Sequence, residues 1–133
     1  MIINTKLKEI KLDPIKSLIS RADLKRTIRY TNHYFRKVIG CSQTTLIGMS
    51  DKKILHPDMP QVIYELMWDR IKNDEEMLCV IKYTTKNGDY YWATTLFKTK
   101  YHPISKEFNG YLALSHAVSK YAINHIEPYM KNC

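Results

Sequence analysis

The period of the apolar positions changes several times along the chain, and each change predicts an element. Thr27 to Thr31 alternates, with Ile28 and Tyr30 expected on one face and Arg29 on the other, the pattern of a half-buried strand. Ser17–Arg21 reads as a short strand before it. Ala22–Arg26, centred on Asp23, is the turn between the two, which makes a hairpin. Asn32 ends the second strand and can cap a helical turn, because its side-chain oxygen can accept from a free backbone N–H two or three residues on. Tyr34, Phe35, Val38 and Ile39 give that turn an apolar side, and Gly40 breaks it. Thr44 and Thr45 open another short helical piece through Leu46 and Ile47, stopped at Gly48.

Ile54–Pro60 cannot be regular helix through its two prolines. From Gln61 the period lengthens. Val62, Ile63, Leu66, Met67, Trp68 and Ile71 place one apolar stripe on a helix that Asn73 and Asp74 end. Strand character returns over Met77–Thr85 and Tyr90–Lys100. Lys86-Asn87-Gly88-Asp89 lies between them, and Asn-Gly between strand-like runs favours a tight hairpin turn. Gly110–Val118 is a last strand, and Ser119 to Lys131 a terminal helix. Two strands, short helices, one longer helix and three strands predict an α+β fold. It is a five-stranded antiparallel sheet with helices gathered on one face, and it has room for a pocket between the layers.

Length and composition narrow the classes. At 133 residues the chain is one domain that needs no disulfide or metal staple. Cys41, Cys79 and Cys133 are few and widely spaced, which favours a reducing cytoplasm over a structural zinc site. No apolar run is long enough for a signal peptide or a membrane span. Four glycines leave no glycine-rich phosphate loop. No nucleophile with an assignable base and no pair of carboxylates across a cleft points to catalysis, so an enzyme is not expected.

Charge is uneven. Residues 1–60 carry 12 basic and 5 acidic side chains, so +7 of the net +8 sits in the first 60 residues. Lys16 to Lys37 is the densest part, with Asp23 its one acidic residue. Such a surface suits an acidic partner, or is a solvated basic face. No nucleic-acid motif accompanies it, so nucleic acid is not expected as the partner.

Four stretches carry a resemblance. They are Asp23-Leu24-Lys25 through Ile28 to Asn32 and Phe35, then Leu46-Ile47-Gly48. The third is His56-Pro57-Asp58-Met59-Pro60 with Met67-Trp68, and the fourth Lys86-Asn87-Gly88-Asp89 with Tyr91-Trp92. In this order they resemble a PAS domain, specifically the flavin-binding PAS domain of bacterial aerotaxis receptors. His-Pro-Asp alone also occurs in J-domains, but there it joins two long helices, and here strands flank it. The resemblance covers Ser20 to Ser119, and Ile126-Glu127-Pro128 also fits. It implies a sensor domain over residues 16–119, an amino-terminal cap or arm over 1–15 and a carboxy-terminal helix over 120–133.

The resemblance implies non-covalently bound FAD contacted by Asn32, His56, Asp58 and Trp68. An aromatic wall and polar ring-edge partners are what a flavin needs. Each residue also has a plainer reading: Asn32 as a helix cap, His56 as part of a capped loop, Trp68 as core. PAS pockets also hold haem, and His56 is then the candidate axial ligand. Leu55 stands where the family has an arginine that could pair with the diphosphate. Met77 replaces a tryptophan, and Tyr83-Thr84-Thr85 a polar and basic stretch. Lys52, Lys53 and Arg70 are nearby cations that could substitute. The Asn-Cys-Arg context of light-sensing flavin PAS domains is absent, so no photochemical adduct is expected. The implied function is redox or oxygen sensing in energy taxis. Residues 1–133 are expected to carry the sensor and no output region, and so to signal through a membrane-bound chemoreceptor-like partner, or as a homodimer, from the cytoplasmic side. A PAS module that binds no cofactor and works by protein contact is the alternative.

Overall fold

A computed structural model of the chain describes residues 7–118. The terminal helix expected over 120–133 lies outside them.

The sheet is built from β1 (Leu18–Ala22), β2 (Ile28–Thr31), β3 (Met77–Thr84), β4 (Tyr90–Tyr101) and β5 (Phe108–Ala117). Its order is β2-β1-β5-β4-β3, and every neighbouring pair is antiparallel. Between β2 and β3 lie α1 (His33–Ile39), α2 (Gln43–Leu46), a 3-10 turn (Asp51–Ile54) and α3 (Gln61–Lys72). The expected α+β architecture is the observed one, and element ends differ from the sequence reading by a residue or two.

One facing differs. Alternation puts Ile28 and Tyr30 on the same side of β2. In the structure Ile28 pairs with Ala22 and Tyr30 with Arg21, because the register slips between Arg21 and Ala22. A slip of one residue moves a side chain to the other face. Thr31 therefore joins Ile28 in the interior, and Tyr30 lies under the Arg21 guanidinium, 4.8 Å from it.

The turn between β3 and β4 is also longer than Asn-Gly suggests. Pairing ends at Thr84 and Tyr90, and Thr85 N–H donates to the Asp89 carbonyl at 2.8 Å across a five-residue loop. Gly88 supplies the positive φ of 86° that the loop requires.

Leu18, Ala22, Ile81, Tyr83, Tyr91, Ala93, Phe97, Tyr111 and Ala113 give the inner face of the sheet, and α3 lays Tyr64, Met67 and Ile71 on it. The opposite face carries one cross-strand row, Ile19, Leu114, Leu96 and Leu78, with Leu78 67% exposed. At the amino end, Ile10 N–H donates to the Tyr90 carbonyl and Tyr90 N–H to that of Lys8, so this stretch lies along the start of β4.

Candidate functional site

Between the sheet and the helical layer lies a cavity of about 20 Å³. Phe35, Ile54, Leu55, Met67, Phe97 and Ala113 form its apolar wall, and Asp51, Tyr64, Tyr83, Tyr111, Ser20 and Ser115 bring polar atoms to it. Local folding explains the polar end. Asp23 Oδ1 accepts from the N–H groups of Lys25 and Thr27, closing the β1–β2 turn, and Arg26 takes a positive φ of 63° there. Residues 48–51 run along the edge of β2. Ile28 N–H donates to the Met49 carbonyl at 2.8 Å, and Asp51 N–H to that of Arg26 at 3.0 Å. This pairing sets the Asp51 side chain beside Arg26.

Arg26 Nε donates to Asp51 Oδ2 at 3.1 Å, and Tyr111 Oη donates to the same oxygen at 2.5 Å. The guanidinium lies 4.5 Å from the Tyr64 ring centre and 5.5 Å from that of Trp68. Tyr111 reaches the site because Gly110 lets β5 press on β1: a Cβ at Gly110 would sit 1.9 Å from the Ala22 carbonyl oxygen. Burial pushes the Asp51 carboxyl above its ordinary range, against the Tyr111 hydrogen bond and the Arg26 charge. Burial and the neighbouring Asp51 raise the Tyr111 hydroxyl well above the usual phenol value. Farther along the sheet a second buried chain runs from Tyr83 Oη to Thr95 Oγ1 and on to Ser115 Oγ, each step 2.8 Å.

The structure does not bring Asn32, His56, Asp58 and Trp68 together, and none of the four lines the cavity. Asn32 is committed to backbone. Its Oδ1 accepts from Phe35 N–H and Ile19 N–H, and its Nδ2 donates to the Ser17 carbonyl. His56 and Asp58 sit at the edge of β3. Asp58 N–H donates to His56 Nδ1 at 3.0 Å, and Lys82 Nζ donates to Asp58 Oδ2 at 2.9 Å. Lys82 lies opposite Trp92 on the outer face, one residue along from the inward Tyr83 and Tyr91. The His56 ring meets Tyr90 edge-on. Burial, with Lys82 nearby, lowers its pKa against the pull of Asp58.

Trp68 comes nearest, packing at 6.2 Å on Tyr111 and 5.8 Å on Phe108. Leu55 is in the cavity wall and bridges to Tyr83. Lys52, Lys53 and Arg70 are exposed, and the cation beside the cavity is Arg26. Arg26, Asp51 and Tyr111 were not legible as site residues. Arg26 reads as turn, Asp51 falls between the segments to which the pattern assigns an element, and Tyr111 is one of ten tyrosines.

The space also bears on the cofactor. A small-molecule pocket runs to hundreds of Å³, so a flavin ring system does not fit this cavity in the conformation described. Tyr64, Met67, Tyr83, Phe97 and Tyr111 take up the interior. No histidine lines the cavity among the described residues, which leaves haem without an imidazole ligand there.

Residues 28–109 match the PAS fold, more than half of the chain. The chain belongs to the PAS-fold family. PAS-fold domains are sensory modules and not catalysts. The chain is 30% identical over 117 residues to the aerotaxis receptor of Escherichia coli (strain K12), a match covering 86% of this chain and 22% of the receptor. It therefore spans less than a quarter of that relative's length. Among solved structures, the PAS domain of a Colwellia psychrerythraea protein superposes with a TM-score of 0.70 at 19% identity, covering 78% of this chain and 87% of that one. The dark structure of the blue-light photoreceptor Aureochrome1 LOV gives 0.71 at 12% identity, covering 86% and 85%. At these identities the likeness is one of fold. Among the described residues no helix is long and apolar enough to cross a membrane, and no three metal-binding side chains converge.

Proposed function

We propose that this chain is the sensory PAS module of a redox or energy-taxis system. In this reading it takes FAD and passes its signal to a separate, membrane-bound chemoreceptor-like protein. The observation that carries the reading is the 30% identity to an aerotaxis receptor across 86% of the chain. FAD entry requires α3 and the 51–59 segment to part from the sheet, since the closed interior has no space for it. The outer row Ile19–Leu114–Leu96–Leu78 and the basic amino-terminal half offer docking surface, either to the partner or to a second copy.

A second reading has its own support: a PAS module that binds no cofactor and works by protein contact. The filled interior favours it, as does Leu55 in the wall where an arginine could have paired with a diphosphate. The visible absorption spectrum of protein purified without added cofactor, followed by identification of what denaturation releases, separates the two. Released FAD with a two-band flavin spectrum supports the first. A folded, colourless protein that takes up no added FAD supports the second.

A further inference from the structure

The Arg26–Asp51 pair is only half satisfied. Asp51 Oδ2 receives two hydrogen bonds, from Arg26 Nε and Tyr111 Oη. Asp51 Oδ1 and Arg26 Nη2 are both buried and, among the described residues, have no hydrogen-bond partner. The Asp51 side chain is 5% exposed and lines the 20 Å³ cavity. A buried carboxylate oxygen without a donor has given up its hydration for nothing in return, so a native core rarely leaves one.

Tyr111 Oη and Arg26 Nε converge on the one oxygen, Oδ2, and the guanidinium also lies against the rings of Tyr64 and Trp68. Charge decides what can fill the gap. Arg26 and Asp51 already neutralise each other, so an ion added there has no counter-charge in a low-dielectric site. Size decides the rest, because about 10–15 Å³ is what one water molecule requires.

We propose that this cavity is a binding site for one uncharged, water-sized molecule, water itself in the unliganded protein, that donates to Asp51 Oδ1. Such a site exists whether or not the protein takes a cofactor. It does restrict what can enter the interior. Displacing such a molecule loses affinity unless the newcomer reproduces its hydrogen bonds. A larger ligand must therefore bring an N–H or O–H to Asp51, which selects uncharged molecules with a donor at that end.

The test is a high-resolution crystal structure of the wild-type chain, paired with detection of long-lived water by water-to-protein NOEs. A water within hydrogen-bonding distance of Asp51 Oδ1 is expected, with NOEs to the protons of Tyr111 and Ala113. In Ala113→Val, whose added methyls project into the cavity, the water and its NOEs should be lost. If that variant does not fold, Ser20→Val fills the space from the other strand. A wild-type structure in which Arg26 Nη2 bonds directly to Asp51 Oδ1, or in which no molecule contacts that oxygen, overturns the proposal. So does retention of the same water in a folded variant.

Discussion

Tyr111 and Asp51 stand sixty positions apart in sequence and share a buried hydrogen bond of 2.5 Å. It ties the start of β5 to the 3-10 turn after β2, and with Arg26 it joins the two layers at one point. Tyr111→Phe keeps the ring against Phe97 and Trp68 and removes only the donor. Loss of that donor is expected to cost about 1–3 kcal/mol in chemical denaturation. The hydrogen bond favours the carboxylate form, so without it the Asp51 carboxyl should titrate still higher, as followed by carboxyl carbon NMR.

Asn32 holds β1, β2 and α1 together through three side-chain hydrogen bonds. Asn32→Ala should lower stability by about 2 kcal/mol, in the range of a lost cap together with a lost buried bond. Asn32→Asp keeps the oxygen that accepts from Ile19 and Phe35 but turns a second acceptor toward the Ser17 carbonyl, so it should be destabilised as well. An unchanged denaturation midpoint in the alanine variant would show that Asn32 is not a structural cap.

Two groups set opposite pH slopes. His56 has a folded pKa below its ordinary 6.5, through burial and Lys82, so the unfolded chain binds its proton first. Its contribution is present above pH 6.5 and is lost as pH falls through the window below that value. Asp51 has a folded pKa above its ordinary 3.8, through burial. Its contribution is full below pH 3.8 and is lost as pH rises through the raised folded value. His56→Gln should flatten the stability profile just below pH 6.5 and leave the more acidic limb unchanged. Denaturation midpoints taken from pH 4 to 8 check both signs.

Trp68 packs on Tyr111, Phe108 and the Arg26 guanidinium from a half-buried position. Trp68→Ala should cost about 2 kcal/mol, below the range for a fully buried aromatic, since part of the indole already faces solvent. Trp68→Phe should recover most of it. If the protein carries a flavin, equilibrium dialysis of both variants shows whether Trp68 also retains it beyond its packing role.

Local chemistry determined much of the fold. The strand character of Met77–Thr85 and Tyr90–Lys100, the stripe from Gln61 and the Asn32 cap each depend on neighbours within a few residues, and they appear in β3, β4, α3 and α1. A cross-strand slip decided the facing of Tyr30 and Thr31, because the register of β2 depends on how it meets β1 and not on its own pattern. The polar site was decided by tertiary structure altogether. Arg26, Asp51 and Tyr111 come from a turn, a 3-10 helix and a distant strand, and only the pairing of residues 48–51 with β2 and the close approach at Gly110 bring them into contact. The same assembly left His56 and Asp58 at the edge of β3 with Lys82, since the backbone after Leu55 runs alongside Tyr83 and turns their side chains away from the cavity. Sequence order placed those residues in one motif, and the direction of the chain at the sheet edge separated them from the interior.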